Sequence, residues 1–275
     1  MELYLTNNNL HSITPATLLG LSSLHTLAIP GNPLHKLSDG TFSALRSLRY
    51  LNARGTELSS FAPTLLRNSP GMESLVLSNN LLSVFDHSAL PSLRELDLDG
   101  NPLVAQPDVA RFRNLTMLRM GGHRIPRLQV RFLLALPQLE ALEVAADPAF
   151  GNSVMDSDDP SLIPRGRVLP LHTLDVRNVI LPKAFAADAL DKTPLSLRTL
   201  ALGWPGMTDD NVPLAIVCRA LAPNVEQLTI SNSGYESIDL CPDRLFASVF
   251  LPENGKLTSL RVHNTLQQLN LFRCS

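Results

Sequence analysis

A spacing of leucines recurs along the chain and leaves few folds open to it. Aligned as LxxLxLxxNxL, the clearest copies are Leu24-His-Thr-Leu27-Ala-Ile29-Pro-Gly-Asn32-Pro-Leu34, Met72-Glu-Ser-Leu75-Val-Leu77-Ser-Asn-Asn80-Leu-Leu82 and Leu93-Arg-Glu-Leu96-Asp-Leu98-Asp-Gly-Asn101-Pro-Leu103. Weaker copies start at Leu48, Leu115, Leu139, Leu171, Leu197, Val225 and Leu257, and a headless copy with Leu3, Leu5, Asn8 and Leu10 opens the chain. The alternating apolar residues of the xLxLx stretch point to one face of a short strand. The Asn three residues after the last strand position turns the chain, and its amide can bond backbone groups that the bend leaves open. One copy cannot bury its apolar face alone, but stacked copies can, with their strands in one parallel sheet.

These residues resemble the leucine-rich repeat family over nearly the whole chain. The resemblance implies an α/β solenoid of about ten to eleven repeats, shaped as a right-handed horseshoe. Its parallel sheet would line the concave face, with irregular or helical convex segments. A single solenoid is expected over 1–275, with regular repeats of 21–24 residues in 1–146 and irregular ones of 26–32 residues in 147–275. The regular half resembles the repeats of Toll-like and related receptor ectodomains, and Phe42, Phe61 and Phe85 fall at its convex apolar positions. In the second half the Asn position holds His123, Asp147, Val179, Pro205, Ser233 and Thr265. Asp147–Pro170, with four prolines and Asp156, Asp158, Asp159, Arg165 and Arg167, reads as a loop insertion. Asp188–Thr193 and Asp209–Leu221 read as convex helices, the second behind a Thr208-Asp-Asp cap.

Composition narrows the function. Twenty-three basic against 25 acidic residues give a net charge of -2, without the basic excess of a nucleic-acid binder. No apolar run approaches the 18 or so residues that span a bilayer. Three cysteines, Cys218, Cys241 and Cys274, are too few for a zinc site. They read first as free buried thiols and next as one disulfide with one free thiol. No basic, apolar and cleavable leader follows Met1. The repeat type points outside the cell if the chain is a fragment, and to the cytoplasm if it is complete. Neither end carries a capping repeat, so association through the ends is a further expectation.

The strand register assigns the outward side chains. The middle column runs from Tyr4 through Asn52, Asp97, Arg119, Glu143 and Asp175 to Thr229 and Arg261, flanked upstream by Tyr50 and Glu95 and downstream by Arg54, Asp99 and Arg177. Trp204, the only tryptophan, falls beside this surface in Gly203-Trp-Pro-Gly206. Tyr, Trp and Arg are the residue types that dominate protein interfaces. Tyr50, Asn52, Arg54, Glu95, Asp97, Asp99, Arg119, Glu143, Asp175, Arg177 and Trp204 are therefore the candidate contacts for a protein ligand. Glu95, Asp97 and Asp99 share one face and form either an acidic grip or ladder partners for Arg119. Asn114-Leu115-Thr116 is the only N-glycosylation sequon, which matters only in a secretory compartment.

Signatures of hydrolases, metalloproteases and nucleotide-binding enzymes are missing from the sequence, and the seven His are scattered. The expectation is a non-catalytic protein-recognition module with no cofactor, no metal, no nucleic acid and no membrane contact in this segment. A receptor ectodomain is favoured. The alternative is an intracellular adaptor or scaffold, such as the substrate-binding arm of a ubiquitin ligase or a phosphatase regulator.

Overall fold

The computed structural model describes residues 1–86, 90–129, 136–151, 153–156, 170–182, 196–263 and 266–274. They divide into two compact units, 1–125 with 136–139, and 126–129 with the described residues from 140 onward.

The first unit is a stack of parallel strands, β1 (Glu2–Tyr4), β2 (Thr26–Ala28), β3 (Tyr50–Asn52), β4 (Ser74–Val76), β5 (Glu95–Asp97) and β6 (Met117–Arg119). Each pairs with the next in the register Leu3, Leu27, Leu51, Leu75, Leu96, Leu118. From Leu27 onward the central leucine is buried, because its side chain enters the space between sheet and return segment. Burying each such leucine stabilises by roughly 1.5–3 kcal/mol. Phe42, Phe61, Phe85 and Phe112 close the same interior from the return side. The Phe61 and Phe85 rings stack across adjacent coils, with centroids 6.4 Å apart.

The repeated Asn forms a buried ladder. Asn80 Oδ1 accepts from the backbone N–H groups of Thr56 and Leu58, at 3.0 and 2.9 Å. Its Nδ2 donates to the carbonyls of Ala53 and Leu77, both at 2.8 Å. One amide thus satisfies backbone groups of its own coil and of the coil before it. Asn32 does the same with Asn8, Leu10, Leu5 and Ile29. Asn101 serves Leu82, Leu77 and Leu98. The residue just before the ladder position turns into the left-handed region, where Asn7, Gly31, Gly55, Asn79, Gly100 and Gly122 all have positive φ. At Gly31 a Cβ would sit 1.9 Å from Asn7 Oδ1, so a larger residue there would displace the Asn7 side chain as well as strain a positive φ.

In the second unit one parallel sheet joins, in spatial order, strands β8 (Ala141–Glu143), β10 (Thr173–Asp175), β12 (Thr199–Leu202), β13 (Asn224–Ile230), β15 (Leu245–Phe250) and β17 (Gln268–Asn270). A second parallel sheet has the order β11 (Val179–Ile180), β9 (Ser153–Asp156), β7 (Arg127–Gln129), and a third pairs β14 (Ser237–Asp239) with β16 (Ser259–Arg261). Both units are thus parallel-strand solenoids, as the repeat requires. Among the described residues the only α-helix is α1 (Leu214–Ala220).

Several sequence expectations change here. The repeat start at Leu257 is wrong, because Ser259–Arg261 pairs with β14 and lies outside the sheet of β13. The strand beside β13 is β15, where Phe246-Ala-Ser-Val249-Phe-Leu251-Pro-Glu-Asn254 carries the repeat with phenylalanine at its head. Asn254 is a full ladder residue, accepting from Ser233 N–H at 2.9 Å and donating to Ile230 O at 2.7 Å. Gln227, Ser248 and Gln268 share one column, so the last coils are 21 and 20 residues long, not 32. In the final coil Cys274 holds the ladder position, and its thiol donates to Leu251 O at 2.8 Å. Part of the expected loop, Ser153–Asp156, is strand β9, with Ser153 and Met155 buried. Asp158, Asp159, Arg165, Arg167 and the expected helix at 188–193 lie outside the described residues.

The helix expected from Asp209 begins at Leu214, whose N–H donates to Asp209 Oδ1 at 2.9 Å. Thr208 does not cap it. Pro213 stands at the N-cap, and its preset φ leads the chain into the helix. Cys218 on α1 is disulfide-bonded to Cys241, with Cα atoms 5.5 Å apart. The reading of three free thiols is therefore corrected to one disulfide and one free thiol, Cys274. The spacing of 23 residues brings the two cysteines onto neighbouring coils, and this is why no CxxC pattern announced them.

Two outcomes follow from this packing. Asn80→Ala leaves several buried backbone groups without partners, at about 1–3 kcal/mol each. Its urea midpoint should fall well below that of Asn79→Ala, and equal midpoints would remove the ladder from the account. Opening the disulfide by Cys218→Ser with Cys241→Ser should cost about 2–4 kcal/mol. Reductant should lower the melting temperature of the parent chain and leave that of the double variant unchanged.

Candidate protein-recognition surface

In the first unit the outward columns follow the strand register. Tyr50, 44% exposed, stands at the head of β3, with Asn52 and Arg54 following on the same face. Its hydroxyl donates to Glu73 Oε2 at 2.9 Å, and Arg49 binds Glu73 Oε1 at 3.0 Å. The hydrogen bond to Glu73 and the carboxylate's charge raise the Tyr50 pKa, and the charges of Arg49 and Arg94 partly oppose this. The ring is thereby held in one orientation on the surface. Arg54 is exposed, and its Nε and a terminal nitrogen donate to the Asn79 side-chain oxygen at 3.0 and 3.1 Å.

Glu95, Asp97 and Asp99 are half-buried on β5 and just beyond it, with Asp97 in register with Arg119. Part of their carboxylate capacity is used internally. Asp97 Oδ1 accepts from Asp99 N–H at 3.0 Å, and Asp99 Oδ1 accepts from Gly121 N–H at 2.5 Å. Ser74 donates to Glu95 Oε2 at 2.7 Å. Asn52 accepts from Arg54 N–H in the same way, at 3.0 Å. The Asn and Asp residues of the middle column therefore end their strands as Asx turns. What they offer a partner is their remaining oxygen lone pairs.

In the second unit Glu143 and Asp175 are in register on neighbouring strands. Asp175 also closes an Asx turn on Arg177 N–H at 3.1 Å and holds the guanidinium through both oxygens, at 2.9 and 2.6 Å. This fork consumes most of the bonding capacity of Asp175. Trp204 does not belong to the surface. It is 3% exposed and packs in the core beside Gly206. Arg261, read from the sequence as an outward residue of this sheet, lies on β16, and the columns continue through Ser248 and Phe250 to Gln268 and Asn270.

Sequence reasoning missed the rim column, the residues one register position upstream of the column that holds Thr26, Tyr50, Ser74, Glu95, Thr199 and Gln227. In the first unit it holds His25, Arg49, Glu73 and Arg94, and in the second His172, Arg198 and Glu226. Adjacent members form ion pairs, Arg49–Glu73 at 3.0 Å and Arg198–Glu226 at 3.7 Å. Their strict spacing in the repeat would have revealed them. His172, Arg198 and Glu226 also line an open cleft of about 700 Å³ with Leu245 and Leu266. The described residues contain no group of three or more His, Cys, Asp or Glu able to hold a metal ion. The candidate surface is thus broad, open and mixed in polarity, the form that suits a protein partner.

Known proteins match this picture. The family model described as leucine rich repeat matches residues 1–58 and 54–103. No curated protein sequence matches the chain significantly. The leucine-rich repeat domain of APL1B superposes with a TM-score of 0.63 at 19% identity, over 99% of this chain and 76% of that one. A structure of the LRIM1/APL1C complex gives 0.60 at 16% identity, over 96% of this chain and 46% of that one. A leucine-rich repeat protein of Leptospira interrogans gives 0.63 at 16% identity, over 99% and 84%. Residues 1–103 thus match the leucine-rich repeat family model, and the chain as a whole has the leucine-rich repeat fold.

Proposed function

We propose that this chain is a non-catalytic protein-recognition module of an extracellular receptor or secreted assembly. The supporting observation is the in-register outward surface, with the oriented Tyr50 and the exposed Arg54 at its centre in the first unit. Such residue types carry most of the energy at protein interfaces. The ordered rim pairs and the Asx turns keep neighbouring side chains in place, which lowers the entropy lost on binding. The Cys218–Cys241 disulfide favours an oxidising compartment. A neighbour of the same fold is described as the LRIM1/APL1C complex, an assembly of one protein with another.

The acidic group on β5 and the cationic Arg54 serve different partner residues. Asp97 Oδ1 closes its own turn and Asp99 Oδ1 accepts from Gly121 on the next coil, so changes to Asn keep both acceptors and remove the charge.

The partner is to be captured from the native extracellular fluid on the immobilised chain and its contacts mapped by cross-linking. Cross-links on the outward columns support the reading, whereas cross-links confined to the return segments sink it. Tyr50→Ala with Arg54→Ala should then weaken affinity at least about tenfold. Asp97→Asn with Asp99→Asn should weaken it with a smaller salt dependence than the parent. If neither pair changes affinity, the β3–β5 surface is not the site.

A further inference from the structure

We infer that Asn114 carries an N-linked glycan, held in place by the neighbouring coil, which marks one border of the recognition surface. The inference rests on the secretory reading above. Three observations converge on it. Asn114-Leu115-Thr116 is the acceptor pattern for this modification, with no proline in the middle. The structure places Asn114 exposed in a turn, with only Leu115 of the tripeptide buried. The Cys218–Cys241 disulfide belongs to the same oxidising route through the cell in which such glycans are added.

The geometry also says what the linkage does to the fold. Asn114 Nδ2 donates to Pro91 O on the preceding coil at 2.8 Å. In the transfer, that nitrogen bonds to the anomeric carbon of an oligosaccharide carried on a lipid diphosphate. The carbon–oxygen bond to phosphate breaks, the lipid diphosphate leaves with the electron pair, and one amide proton passes to the transferase's base. The product keeps one N–H, and the Pro91 carbonyl is its acceptor. The first sugar is therefore tied to two coils. Thr116 is secured separately, its hydroxyl donating to Arg94 O at 3.0 Å.

The position is informative about binding. Thr116 occupies the rim column just before β6, after His25, Arg49, Glu73 and Arg94. A glycan two residues upstream of Thr116 stands on the flank, off the outward columns. It shields the flank beside β6 and leaves Tyr50, Arg54 and β5 open to a protein ligand.

The test is the intact mass of the chain purified from its native source, before and after peptide-N-glycosidase. The expected result is a glycan-sized loss, with Asn114 converted to Asp in the released peptide. A second arm sends the chain through a eukaryotic secretory pathway as the parent, Asn114→Gln, Thr116→Ala and Thr116→Ser. Parent and Thr116→Ser should carry the glycan, and the other two should not. Thiol labelling of Cys274 alone shows in each case that the disulfide has formed. A parent secreted with its disulfide but without glycan overturns the site. Glycan in the secretory arm and none on the native chain overturns the compartment reading and the native modification with it, while the binding surface stands or falls on its own cross-links. Enzymatic removal of the glycan should leave partner affinity unchanged, and a loss of affinity would overturn its placement at the border.

Discussion

Short strands need a turn that satisfies its own backbone, and the buried asparagine amide supplies it. Most strands of the main sheets span only three residues. A chain that bends so sharply after each strand leaves N–H and C=O groups pointing inward, where no water can reach them. Asn80 answers groups on two coils with one side chain. Its geometry is complete only when the preceding coil is present, so the ladder makes each coil depend on its neighbour. The leucine interior imposes the same dependence through apolar area. Directional bonds and non-directional burial therefore select the same stacking.

Where the asparagine is lost, other devices carry the turn. Thr56 donates to Ala53 O and to Asn80 Oδ1, so it joins the ladder of the next coil. His123, fully buried, accepts from Ile125 N–H at 3.1 Å. Ser233 leans on Asn254, and Cys274 places a thiol where an amide would stand. In the same region the disulfide joins α1 to the chain after β14, and the Tyr235 hydroxyl reaches Val212 O. Burial, reinforced by Asp209, pushes the Tyr235 phenol well above its ordinary pKa, which keeps it a neutral donor. The irregular coils thus exchange one repeated bond for several local ones, and this frees their length and sequence to vary.

The division between inward and outward positions is what lets this scaffold recognise partners. Inward residues answer to packing and cannot change freely. Outward residues answer first to the turn, as Asn52, Asp97 and Asp175 show, and only then to a ligand. Charge on the surface therefore overstates what is available for binding. Asp175 is already forked to Arg177, whereas the Arg54 guanidinium is exposed and Tyr50 is held upright by Glu73.

The leucine period by itself determined the fold class, the register of β1 to β6 and the outward identity of Tyr50, Arg54 and Asp97, because an alternating strand leaves no choice of face. It could not place β15, since Phe246 heads that repeat and a leucine template passes over it. It could not tell Trp204 in the core from Trp204 on the surface, because a turn can direct its side chain either way. The pairing of Cys218 with Cys241 and the seat of Ser259–Arg261 beside β14 were decided only by tertiary structure. Each depends on which coils lie next to each other and how far a return segment travels, and spacing along the chain does not encode those distances.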